Sequence, residues 1–215
     1  MKEIKKYWYH IKDDPHPRDM TESQVEKYKK KHGDDVIWKM IKAVIIIDMW
    51  DTYAPGNKRF ENLLEQLMLK QLDFIKREDS IVVLACHQTF KEDDIWKDMG
   101  HSWKAPHDVL YDAMIEKKNG LVSWDKDEIM KFLRLHDVTD LYFAGVSFPG
   151  CVQHREVGIN NMKHDFFCHI IADGVLNMIS QVYTEFDILH DTYREIATWS
   201  EETGIKSRYF RDIRN

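Results

Sequence analysis

Two short apolar runs without polar alternation, Ala43–Asp48 (AVIIID) and Ser80–Cys86 (SIVVLAC), constrain the fold of this chain more than any other feature. A strand with one face in water alternates apolar and polar residues, whereas an unbroken β-branched run suits a strand covered on both faces, as in a parallel sheet. Asp140–Val146 (DLYFAGV) and Phe166–Asp173 (FFCHIIAD) are further strand candidates. Between the first two runs, Arg59–Arg77 carries Leu63, Leu64, Leu67, Phe74 and Ile75 at roughly helical spacing. Asp127–Leu135 is helical in period, Cys151–Lys163 has helical length, and an amphipathic helix is predicted near Phe186–Trp199, ahead of a last strand around Ile205–Phe210. Strands alternating with helices specify βαβ units, and hence a parallel sheet with helices on both faces.

The chain's 215 residues suit one domain, and 43% hydrophobic and 12% aromatic residues supply a core rather than a disordered segment. Residues 1–35 are charged and aromatic (Tyr7, Trp8, Tyr9), with one helix from Thr21, whose spacing to Gln24 fits a capping box. They read as an N-terminal extension packing on the domain or on a neighbouring subunit, with the domain proper at 36–215. A net charge of −6 gives no reason to expect nucleic acid or an anionic membrane as partner. The three cysteines, Cys86, Cys151 and Cys168, are odd in number and widely spaced, which excludes a disulfide scaffold and fits a reducing compartment. The opening MKEIKKYWYHIKDD lacks the apolar stretch of a signal peptide, so the expected location is the cytoplasm. Residues 87–119, rich in Trp and His, read as a long excursion of the functional kind.

Open parallel sheets bind ligands at the carboxyl ends of their strands. Asp48 ends the first strand, His87 follows the second, Cys151 begins the helix after the third candidate, and Asp173 ends the fourth. Cys151 follows the turn-rich Gly145–Gly150 and so sits at a helix N-terminus, where unpaired N–H groups and the helix dipole favour thiolate. A buried structural cysteine is the alternative for that residue. Asp48, after four aliphatic residues, is costly there unless paired, and burial suits it to accept a thiol proton. Asp173 reads as structural.

IIIDMWD (45–51) and FAGVSFPGCV (143–152) together resemble the isochorismatase-like cysteine hydrolases, which include nicotinamidases and N-carbamoylsarcosine amidohydrolases. IIADG (170–174) resembles their following strand, and the likeness spans roughly residues 43–210. It implies an α/β fold: a three-layer, mostly parallel six-stranded, Rossmann-like sheet with helices on both faces. It also implies an Asp–Lys–Cys triad, with Asp48 taking the Cys151 proton and the thiolate forming a thioester with an amide carbonyl. A cis peptide at Val146–Ser147 would turn the amides of Ser147 and Cys151 toward the oxyanion.

For the lysine the sequence offers Lys126, after the candidate strand Leu121–Trp124, or Lys118. Trp50, Tyr53, His87 and Phe148 are the substrate-binding candidates, with Phe90, Trp96 and Trp103 as further walls. Nicotinamidases hold a divalent ion with an Asp-x-His element. Here His87 fits the histidine, but Ala85 stands at the Asp position, so no metal or other cofactor is expected despite His101 and His107. The expected function is hydrolysis of a C–N bond in a small amide, ureide or carbamoyl compound by a homo-oligomer (dimer or tetramer). The alternative is a non-catalytic binding or assembly module. A nucleotide-binding protein is disfavoured, because no glycine-rich phosphate loop follows Asp48.

Overall fold

The unbroken run at residues 43–47 becomes the centre of the sheet. The computed structural model describes Lys30 and residues 41–49, 58–85, 108–177 and 184–214. Strand β1 (Lys42–Ile47) is buried at every position after Lys42, and β2 (Ile81–Ala85) is buried throughout. With β3 (Gly120–Ser123), β4 (Asp140–Val146), β5 (Phe167–Leu176) and β6 (Ser207–Arg208) they form one six-stranded sheet in the order β3-β2-β1-β4-β5-β6. Every neighbouring pair is parallel.

Alternation along β1 sorts its side chains between two cores. Val44 and Ile46 pack with α1 (Lys58–Ile75), through Leu63, Leu67 and Phe74, and with α2 (Asp108–Ile115), through Leu110 and Met114. Ala43, Ile45 and Ile47 face the opposite layer. That layer holds α3 (Lys126–Leu135), α4 (Gly150–His154), α5 (Ile159–Met162) and Trp199 of α6 (Glu185–Thr203). The result is the three-layer α/β architecture that the apolar runs demand. No helix among the described residues is long and apolar enough to cross a membrane.

Four expectations need correction. Residues 108–115, read as part of an excursion, form a helix because Leu110 and Met114 share one buried face. The helix expected over Cys151–Lys163 is two, separated where Arg155 adopts an extended ψ of 157°. A Cβ at Gly158 would lie 2.7 Å from the Gln153 carbonyl oxygen, so the chain turns there against the end of the first helix. Strand β5 runs past Asp173 through an irregularity opposite Phe143–Gly145. Asp173 therefore faces away from a strand end, accepting from the Phe210 amide at 3.0 Å and pairing with Lys70 at 3.7 Å, which is a structural role. The last strand shrinks to two residues before a 3-10 turn, Phe210–Asp212. The N-terminal extension lies outside the described residues, Lys30 excepted.

Candidate active site

Along the chain the sheet grows from β1 to β2 and β3, then returns to place β4 on the other side of β1. A crevice opens at such a switch point, beyond the carboxyl ends of the two strands. Asp48 and the loop from Ser147 to Cys151 stand there.

Glycine makes this juncture possible. Gly145 pairs with Ile47 and has φ 132°, and a Cβ on it would sit 2.0 Å from the Ile47 carbonyl oxygen. Only a residue without a side chain lets the two strand ends approach so closely. Asp48 itself has φ 53°, an αL conformation that aspartate tolerates better than most residues. Its amide still donates to the Ala85 carbonyl at 3.0 Å, but the left-handed turn ends the alternation of β1. The carboxylate, whose side chain is 2% exposed, accepts from Arg155 Nε at 2.8 Å and lies near enough to Cys151 for its charge to act on the thiol.

Cys151 is half-buried at the start of α4. Ser147 is another left-handed residue (φ 66°), and its Oγ would lie 2.8 Å from a Cβ on Gly150. The thiol is not poised as thiolate. Burial, then the negative charge of Asp48 and the hydrogen bond to it, push its pKa up to about 11, against a smaller lowering by Arg155 and Ser147. The expectation of thiolate is corrected on these grounds. A five-residue helix aligns few peptide dipoles, and a carboxylate in contact outweighs them.

A cavity of about 420 Å³ opens beside Asp48, lined by Asp48, Trp124, Asp125, Lys126, His154 and Arg155 among others, and Cys151 lies outside its lining. Lys126 thus reaches the site, on the wall opposite α4, whereas among the described residues the ion pair to Asp48 comes from Arg155. Lys118 lies just before β3, at the amino end of the sheet, and is excluded by direction alone. Phe148 does not wall a substrate: it is 1% exposed and packs edge-on to Trp199 with ring centroids 6.0 Å apart. The cis peptide among the described residues is Phe148–Pro149 rather than Val146–Ser147. Trp50, Tyr53, Cys86, His87, Phe90, Trp96, His101, Trp103 and His107 lie outside the described residues. No group of acidic, His or Cys residues that could hold a metal occurs among the described ones.

Arg155 is the site residue that the sequence reading missed. Its signal was present: it stands four residues after Cys151, the spacing that stacks side chains on one helix face.

A buried carboxylate just past β1 thus stands beside a cysteine at the start of α4, the helix that follows the adjacent parallel strand β4. The isochorismatase domain family model matches residues 42–186, and the chain belongs to this family of hydrolases. Among solved structures the chain is similar to nicotinamidase PncA from Bacillus subtilis, at 19% identity and TM-score 0.54, covering 78% of this chain and 99% of that one. It is also similar to N-carbamoylsarcosine amidase from Thermoplasma acidophilum, at 14% identity and TM-score 0.52, covering 82% and 100%. At such identities the likeness establishes a shared fold. No curated protein matches the sequence.

Proposed function

We propose that this protein is a cysteine hydrolase that cleaves a C–N bond of a small amide, ureide or carbamoyl compound. The observation that carries the reading is the placement of the buried Asp48 carboxylate beside Cys151, close enough to hold the thiol proton on. A thiol held with its proton on a carboxylate is activated during attack rather than before it. As Sγ bonds to the substrate carbonyl carbon, the proton passes to Asp48. The amides of Ser147 and Cys151 are the proposed donors to the oxyanion, Cys151 lying in the first helical turn, where N–H groups lack intrahelical partners. Collapse expels ammonia or an amine, which takes the proton from Asp48, and leaves a thioester on Cys151. Water, deprotonated by Asp48, then releases the acid and restores the thiol. The same reading makes the protein a cytoplasmic homo-oligomer with a small-molecule substrate.

An ammonia-release screen across small amides and ureides tests this. Turnover is expected for the wild type, with Cys151→Ala inactive and Asp48→Asn reduced by about 10²–10⁴-fold. Turnover by Cys151→Ala at the wild-type rate would refute the mechanism. One observation favours a second reading as a non-catalytic module: among the described residues Arg155, not the expected Lys126, forms the ion pair to Asp48. A module would give no turnover with any amide, and Cys151→Ala would leave its assembly unchanged.

A further inference from the structure

We propose that Arg155 is the positioning cation of this site, fixing Asp48 and holding a permanent positive charge beside the Asp48–Cys151 couple in place of the expected Lys126. This rests on the hydrolase reading above. Its ground is a convergence of geometry at one residue. Arg155 Nε lies 2.8 Å from Asp48 Oδ2, with the two side chains 29% and 2% exposed. A carboxylate so buried needs a cation.

The backbone holds this cation in place. The Arg155 amide donates to the Cys151 carbonyl at 3.1 Å, and the Arg155 carbonyl accepts from Asn161 Nδ2 at 2.8 Å. Nucleophile and cation are therefore locked to each other across one helical turn, whereas Lys126 comes from a separate element across the cavity. The other charged and titratable groups lining the cavity with Asp48 and Arg155 are His154 and Glu156 beside Arg155, and Asp125 and Lys126 from the opposite wall. A guanidinium does not release its proton in a protein, so Arg155 stays out of the proton transfer and leaves it to Cys151 and Asp48.

The test is the rate at which iodoacetamide alkylates Cys151 in the full chain, followed by mass spectrometry at about pH 8.5, where the thiolate fraction sets the rate. Arg155→Gln is expected to slow alkylation by about tenfold, the equivalent of one pH unit. Arg155→Lys, which keeps the charge, is expected to restore the wild-type rate, and Lys126→Ala to leave it unchanged. A slowing in Lys126→Ala with none in Arg155→Gln would overturn the proposal. Should Arg155→Gln fail to fold, Asp48→Asn/Arg155→Gln removes both partners without stranding a buried charge, and must alkylate more slowly than Asp48→Asn. Equal rates would overturn it. The two readings fail separately. An Asp48→Asn rate equal to wild type breaks the Asp48–Cys151 couple and with it the hydrolase reading. A faster Asp48→Asn, with no effect of losing Arg155 in either background, removes Arg155 alone.

Discussion

At Cys151 two influences of opposite sign meet on one sulfur. Burial and Asp48 hold the proton on, while Arg155 and Ser147 favour its loss, and the first pair wins. The consequence for stability has a definite sign. The folded thiol titrates near 11, above its unfolded value, so the stability it contributes is present at neutral pH and fades as pH rises toward 11. Cys168 is also raised, by burial and then Asp140, so the wild type loses stability from both. Urea unfolding at stepped alkaline pH should therefore show a smaller loss in Cys151→Ala than in the wild type, and identical losses would mean that Cys151 is not held protonated. At neutral pH both thiols are expected to react slowly with iodoacetamide, and Cys168, sealed in the core, slower still.

The two strand ends and the helix that caps them set the next scale. Gly145→Ala forces a Cβ against the Ile47 carbonyl at a φ that L-residues rarely adopt. A cost of about 3 kcal/mol or more is expected, since strain and overpacking add. Denaturant titration reads it directly, and a change below about 1 kcal/mol would mean that β1 and β4 do not approach so closely. At the far end of β5, buried Thr192 on α6 accepts from the Asn177 amide at 3.0 Å and donates to the Ile188 carbonyl at 2.7 Å. Thr192→Val takes that acceptor from a buried amide and is expected to cost about 1–3 kcal/mol by the same measurement. An unchanged midpoint would show that this bond does not tie strand to helix.

The molecule as a whole is a parallel sheet whose chain reverses direction at β1, and its reactive groups follow from that reversal. Much of this was legible in sequence, because apolar runs at 43–47 and 140–146 mark buried strands and any polar residue just beyond them must sit at a strand end. Asp48 and Cys151 were found in that way. Arg155 was not: its spacing from Cys151 is visible in the sequence, but its pairing with Asp48 joins residues 107 positions apart. Lys126 is the first choice from sequence and Lys118 the second, since both flank β3, and the strand's direction tells the site end from the far end. Phe148 misled for a related reason: its loop borders the site while its side chain turns into the core. The central claim is that Asp48 holds the Cys151 proton, and the pH profile of Cys151 alkylation in wild type and Asp48→Asn tests it most directly. The wild-type midpoint is expected near 11, falling toward the ordinary thiol range in Asp48→Asn while ammonia release drops. Superimposable profiles would contradict it.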